Sequence, residues 1–306
     1  MKKILITGSN GLLGQKLVYT LLNSTEFNVI ATSVGENRLL KKEGYEYQTL
    51  DIADKKQVEK VLATTLPDVV INTAAMTNVD ACESQQDACW KLNVTAVQNI
   101  VDTLTSLQSK NKDYRPHLIH LSTDFIFDGT AGPYREEDKP NPLSYYAKSK
   151  LESEKVVQAS SLKWSIARTI IVYGVVDNMS RSNIVLWAKD SLTKNQKINV
   201  VDDQFRSPTL AEDLAQGCIL MAQKEAVGVF NISGKETFSV LELVNRVADY
   251  FGLDKTLVTP IKSNTLNQAA KRPPVTGFVI SKAVRELGYT PHSFEEGLAI
   301  LESQLN

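Results

Sequence analysis

Apolar and polar residues follow two rhythms along the first half of the chain. Short runs rich in β-branched residues read as buried strands: "KILIT" (3–7), "FNVIATS" (27–33), "YEYQTL" (45–50), "DVVINTAA" (68–75), "PHLIHLST" (116–123) and "WSIARTIIVYG" (164–174). Between them the apolar residues recur three and four apart, which predicts helices over "GLLGQKLVYTLL" (11–22), "KKQVEKVLATT" (55–65) and "DACWKLNVTAVQNIVDTLTSL" (87–107). Such alternation implies an α/β fold, a doubly wound parallel sheet with helices on both faces.

Beyond Gly174 the rhythm loosens. "NIVLWAKDSLTK", "LAEDLAQGCILMA" and "SVLELVNRVADYFGL" read as helices, "KINVVDDQFRSPT" as a strand and loop, and "GVFNISG" as a strand; "NQAAKRPPVTGFVISKAVRELGY" closes in a short helix. The stripe Leu241, Val244, Val247, Ala248 and Phe251 is one buried helix face. The expected division is a nucleotide-binding domain of residues 1–173 plus 209–233, and a smaller C-terminal substrate-binding lobe of residues 174–208 plus 234–306.

Composition narrows the function classes. The chain has 306 residues, 42% apolar and 23% charged, which is globular rather than disordered. Its 34 basic and 35 acidic residues leave a net charge of −1 with no basic stripe, so no nucleic-acid partner is expected. The apolar run before Gly8 is too short for a secretory signal, and nowhere do about 18 apolar residues follow one another, so no membrane span is expected either. A soluble, cytoplasmic protein is the expectation. Cys82 and Cys89 fall on one expected helix, about 10 Å apart along its axis, too far for a disulfide. His117, His120 and His292 lack metal-ligand spacing; no metal site is expected, and the first two read as structural.

The glycines of "ITGSNGLLG" bring the first chemistry. Gly8, Asn10, Gly11 and Gly14 lie between the first strand and the first helix, in a GxxGxxG spacing that suits a dinucleotide. One glycine permits the tight turn, one lets a pyrophosphate approach the backbone, and one packs helix on strand, while the helix N-terminus offers N–H groups. This makes the predicted sheet Rossmann-type. At the second strand's end, where an acidic residue would bind the ribose of NAD, stand Thr32 and Ser33, followed by Glu36 and Arg38. A hydroxyl and a guanidinium favour the 2′-phosphate of NADP(H), and Glu36 keeps NAD(H) open. Asp51 reads equally as a partner of the adenine amine or as a helix N-cap.

"NPLSYYAKSKLESEKV" (141–156) carries the second. With Asn141 as cap and Pro142 at the first position, Tyr146 and Lys150 stand one turn apart on one helix face. A phenol with a pKa of about 10 is a poor acid at neutral pH until a nearby ammonium favours its anion. Ser122–Thr123–Asp124 ends the fifth strand, on the sheet edge where open α/β folds bind ligands. Thr123, Tyr146 and Lys150 are therefore expected to converge beside a nicotinamide.

Together "TGxxGxxG", "NTAA", "STD" and "YxxxK" resemble the extended short-chain dehydrogenase/reductase superfamily. "VVINTAAMTNVDACES", "HLSTDFIFDGTAGPYREEDKPNPLSYYAKSKLESEK", "DDQFRSPTLAEDLA" and "KRPPVTGFVISKAVRELGY" are similar, in order and over nearly the whole chain, to the dTDP-4-dehydrorhamnose reductase family. The resemblance implies reduction of the C4 ketone of a dTDP-linked 6-deoxyhexulose by NAD(P)H, giving dTDP-L-rhamnose. It implies Tyr146 as proton donor, Lys150 on the nicotinamide ribose and as the group that depresses the tyrosine pKa, Thr123 on the sugar carbonyl and Asp124 on the sugar. Gly11, Leu12, Leu13, Asp51, Ile52, Ala74, Ala75, Met76 and Leu121 would line the cofactor site. Phe125 stands where the family's STDYVF has a tyrosine, and Ile171 where RTSWVYG has a tryptophan, so the grip on a pyranose differs. Arg206 and Arg272 are placed to reach a substrate phosphate, or alternatively to form surface salt bridges.

The expected partner is a small nucleotide-sugar, and a homodimer is left open. Two other readings stand beside the reductase: a nucleotide-sugar epimerase that retains NAD, and a non-catalytic NADP-binding regulatory subunit resembling that of methionine adenosyltransferase.

Overall fold

The computed structural model describes residues 1–178 and 182–305. Its first half runs β1 (Lys2–Thr7), α1 (Leu12–Leu21), β2 (Phe27–Ser33), β3 (Glu46–Thr49), α2 (Lys55–Thr65), β4 (Val69–Asn72), α3 (Val79–Ser84), α4 (Gln86–Trp90), α5 (Ala96–Lys110), β5 (His117–Thr123), α6 (Tyr145–Gln158) and β6 (Lys163–Thr169). Then follow β7 (Val172–Tyr173), α7 (Ile184–Thr193), β8 (Ile198–Val201), β9 (Phe205–Arg206), β10 (Thr209–Leu210), α8 (Ala211–Gln223) and β11 (Gly228–Asn231). The chain closes with β12 (Phe238–Ser239), α9 (Val240–Tyr250), β13 (Val258–Ile261) and α10 (Phe294–Ser303).

Among the described residues, seven strands form the central sheet in the order β11-β6-β5-β4-β1-β2-β3, and every pairing in it is parallel. The α/β, Rossmann-type expectation therefore holds. Alternation along β1 explains the two faces. Ile4 and Ile6 enter a core with Leu17 and Val18 of α1 and Leu214 and Cys218 of α8. Leu5 enters the opposite core with Val58 and Leu62 of α2 and Ile100 and Leu104 of α5. Ala283, Leu287 and Tyr289 join the first of these cores. A third core unites α7, α9 and α10 with β8 and contains Tyr173, Val244 and Leu298.

Two elements differ from their sequence patterns. "WSIARTIIVYG" is not one strand: β6 stays in the sheet, while β7 leaves it to pair with β10. The break falls at Ile171, whose φ of +33° is sterically costly for a β-branched residue. The long helix expected over 87–107 is α4 and α5 joined by a π-turn at Lys91–Thr95, with α3 as a separate helix capped by Asn78. The strand order reverses between β1 and β4, so the carboxyl ends of β1, β4 and β5 share the edge where a crevice opens.

Candidate active site

The β1–α1 turn is built for close backbone approach. Gly8 has φ +66°, and a Cβ there would lie 2.9 Å from the Thr73 hydroxyl. A Cβ on Gly14 would fall 2.3 Å from the Gly8 carbonyl oxygen and 2.6 Å from the Ser9 Cα. Gly11 caps α1 without a side-chain acceptor, and the first turn has no acidic residue, so the N–H groups around Leu12 and Leu13 face an anion unopposed. The Ser9 hydroxyl is buried here with no protein partner among the described residues. This uncapped, glycine-lined cradle fits a dinucleotide diphosphate.

Beyond β2 the chain folds back on the turn. The Asn10 side chain accepts from the Arg38 N–H at 2.9 Å and donates to the Glu36 carbonyl at 2.8 Å. Arg38 itself is exposed, and Ser33 is half-buried. Asp51 does not cap α2: Asp54 does, accepting from the N–H groups of Lys56 and Gln57. Asp51 instead accepts from the Ala53 N–H, in an Asx turn. The Ile52 side chain is 3% exposed and packs in the core with Val58 and Ile100.

The helix that bears Tyr146 and Lys150 starts later than expected. Ser144, not Asn141, is the N-cap of α6, accepting from the Ala147 N–H at 3.2 Å. Asn141 is drawn off by Asp128, to which its amide donates at 2.8 Å. The pairing of Tyr146 with Lys150 survives the shift, since it depends on spacing alone. Tyr146 is 8% exposed, Lys150 4% and Thr123 7%. The Thr123 hydroxyl donates to the Asp124 carboxylate at 3.0 Å, and its side chain lies by the Tyr146 phenol. The Lys150 ammonium donates to the Leu121 carbonyl at 2.6 Å.

The Tyr146 phenol is pushed well above its ordinary pKa, first by burial and then by the negative charge of Asp124, with the Thr123 side chain acting in the opposite direction. The Lys150 ammonium is aimed at the Leu121 carbonyl. Lys150 is itself lowered to about 8 by burial, against the favourable charge of Glu154. The phenol is therefore held as a proton donor.

Around this pair lies an aromatic wall. Phe125 meets Tyr146 edge-on with ring centroids 6.1 Å apart, and the Arg206 guanidinium sits 5.7 Å above the Phe125 ring. Arg206 forms no surface salt bridge, being 3% exposed. Its donors are taken by the carbonyls of Phe205 (2.7 Å), Pro274 (3.1 Å) and Pro273 (2.7 Å), and its charge offsets the carboxylate of Asp124. Asp124 is likewise turned inward, accepting from Thr123 and Thr276, and burial raises its pKa. Arg272 is spent on Asp80, 2.6 Å away, and holds that carboxyl below its usual range. Ile171 packs beside Ile126, Phe127 and Tyr134.

Several site residues were not visible in the sequence pattern. Asn93, in the π-turn, accepts from the Met76 N–H at 2.8 Å, donates to the Met76 carbonyl at 3.1 Å and to the Ser149 hydroxyl at 3.0 Å. It thus ties the Ala74–Ala75–Met76 segment to α6. An asparagine inside an apolar helix pattern was the available signal. His120 is a buried link between Asn72 (3.1 Å) and Ser153 (2.9 Å), and burial keeps it neutral; His117 bonds Ser165 at 2.7 Å. Cys82 and Cys89 are not on one helix. They lie on α3 and α4 as free thiols packed against Tyr146, and the Cys82 thiol is pushed up to about 12, first by burial and then by the neighbouring Cys89.

No group of three or more His, Cys, Asp or Glu side chains among the described residues is arranged to hold a metal ion, and no helix there is long and apolar enough to cross a membrane. The chain matches the family model of the RmlD substrate binding domain over residues 1–305. It is 31% identical over 277 residues to methionine adenosyltransferase 2 subunit beta of Bos taurus, covering 89% of this chain and 78% of that one. A dTDP-4-dehydrorhamnose reductase structure from Clostridium acetobutylicum superposes with a TM-score of 0.85 at 31% identity, covering 99% of both chains. The dTDP-4-dehydrorhamnose reductase of Bacillus anthracis in complex with NADP gives 0.82 at 26% identity, also over 99% of both.

Proposed function

We propose, for a chain that belongs to the RmlD substrate binding domain family, the NADPH-dependent reduction of a nucleotide-linked 4-ketosugar. The coarser reading, an NAD(P)-dependent reductase of the extended short-chain dehydrogenase/reductase superfamily acting on sugar nucleotides, is supported by the family match and by the similarity to dTDP-4-dehydrorhamnose reductases. The finer one is dTDP-4-dehydrorhamnose to dTDP-L-rhamnose. The observation that carries it is the buried grouping of the Thr123 side chain with the Tyr146 phenol, with Lys150 one helical turn on along α6.

The glycine turn, Arg38 and the Ala74–Met76 segment would hold the dinucleotide, and Lys150 its ribose. When bound, the reduced nicotinamide supplies the two electrons as hydride. The residues of this chain then do three things. Thr123 donates to the ketone oxygen and fixes its position beside Tyr146. Tyr146 delivers its proton to that oxygen as negative charge develops, a general-acid contribution of about 10²–10⁴-fold. Phe125, Tyr146 and Met76 keep water from the reacting carbon, and a sugar anchored through its nucleotide is oriented at little further entropic cost. Phe125 and Ile171 bear on which sugar is accepted, since neither offers the phenol or indole of the pattern they interrupt.

A second reading rests on the first-named relative: a cofactor-binding subunit of a methionine adenosyltransferase without turnover of its own. One assay separates the two. The purified chain is given enzymatically generated dTDP-4-keto-6-deoxy-L-mannose with NADPH or NADH, and absorbance of the reduced cofactor is followed. Consumption of NADPH with one equivalent of sugar reduced supports the reductase. Tight NADPH binding with no consumption on any nucleotide-linked 4-ketosugar would overturn it in favour of the subunit.

A further inference from the structure

Residues 36–40, which follow β2, are fixed by side chains from elsewhere in the chain. Asn10 takes the Glu36 carbonyl and the Arg38 N–H. Two more bonds come from the segment just after β7: the Asn178 amide donates to the Arg38 carbonyl at 2.8 Å, and the Asp177 carboxylate accepts from the Leu40 N–H at 2.9 Å. The Arg38 side chain, by contrast, is exposed and has no hydrogen-bond or ion-pair partner among the described residues.

The far end of this clamp is anchored on α1. Gln15, 1% exposed, accepts from the Asp177 N–H at 2.8 Å and donates to the Asp177 carbonyl at 3.1 Å. The Tyr19 hydroxyl donates to the same Asp177 carboxylate oxygen and accepts from the Leu40 N–H at 3.0 Å. Burial, and then Asp177, push the Tyr19 phenol up to about 12, so at neutral pH it remains a donor. Leu39 between these bonds is fully buried.

We propose that Asp177 and Asn178 are positioning residues that set the preference of this site for a 2′-phosphorylated adenosine, by holding the backbone that carries Arg38. The inference rests on the NADPH reading above. A guanidinium on a loose loop loses backbone and side-chain freedom when it takes a phosphate, and that loss subtracts from binding. With Arg38 N, Arg38 O and Leu40 N already bonded, much of the ordering is complete before the ligand arrives. A cofactor lacking the 2′-phosphate makes no use of Arg38 and gains nothing from the clamp.

The test is calorimetric titration of the full chain with NADPH and with NADH, for the wild type, Asp177→Ala, Asp177→Asn and Asn178→Ala. Asp177→Ala should raise the NADPH Kd about tenfold while moving the NADH Kd less than about twofold. Asp177→Asn should recover most of the NADPH affinity, because an amide oxygen still accepts from Leu40. Asn178→Ala, at an exposed position, should show a smaller change of the same kind, and it decides the matter if Asp177→Ala does not fold. Equal weakening of both cofactors, or an unchanged ratio, overturns the clamp. A wild type with no preference for NADPH overturns the cofactor reading and the clamp with it; a wild type that prefers NADPH with variants of the same ratio sinks the clamp alone.

Discussion

The ammonium of Lys150 is bonded to the Leu121 carbonyl at 2.6 Å, across the contact between α6 and β5 and one turn beyond Tyr146. Burial lowers this lysine from 10.5 to about 8. If the charged form is the one that holds cofactor, kcat/KM should be level below pH 8 and fall as pH rises through it. Stability should move the opposite way. Between about 8 and 10.5 the unfolded chain carries the proton and the folded chain does not, so the unfolded state binds more protons and stability rises with pH across that window. Below it both states are protonated and the penalty of burying the charge is constant. Urea midpoints from pH 7 to 10 check this, and Lys150→Met should flatten the rise.

Tyr146→Phe removes the proton and leaves the ring. Turnover with the 4-ketosugar should drop by about 10²–10⁴-fold, with the NADPH Kd within about twofold of wild type. Turnover at the wild-type rate would show that another group delivers the proton.

Arg168 and Glu154 form a buried, two-point ion pair at 2.9 and 2.7 Å, with exposures of 4% and 1%. Glu154→Ala strands the guanidinium, whose remaining partner is the Glu136 carbonyl. It should cost about 3–5 kcal/mol in chemical unfolding. The double replacement Glu154→Leu with Arg168→Met should recover much of that loss, because both desolvation penalties vanish together.

Leu66 closes α2 with φ +44° and is 41% exposed. The left-handed conformation is strained for leucine and natural for glycine. Leu66→Gly should therefore raise stability by roughly 0.5–1 kcal/mol, read as an upward shift of the unfolding midpoint with cofactor affinity unchanged.

Each part of the site was legible to the degree that it is local. The glycine turn could be read because Gly14 answers a steric demand from Gly8 and Ser9, a few residues away, although the demand on Gly8 comes from Thr73 and Ala74, far along the chain. Tyr146 and Lys150 could be paired because a helix fixes what stands four residues on. Asp51 was open between an adenine partner and a helix N-cap because only the path of the chain into α2 gives the cap to Asp54. Arg206 was open between a substrate phosphate and a surface salt bridge because nothing in "DDQFRSPT" announces that three carbonyls from Phe205, Pro273 and Pro274 surround it.

What the sequence determined by itself is periodic or close-range: strands of period two around β1, helices of period near four, the parallel order of a Rossmann-type sheet, and the placing of one tyrosine and one lysine on one helix face. What only the tertiary structure decided is where polar groups find partners distant in the chain. It placed Asn93 between Met76 and Ser149, laid Asp177 and Asn178 over Arg38, and enclosed Tyr146 so that its phenol keeps its proton. The division has a physical origin. Steric preference and hydrophobic period act within a few residues, whereas desolvation and hydrogen-bond satisfaction depend on every group that packing brings near.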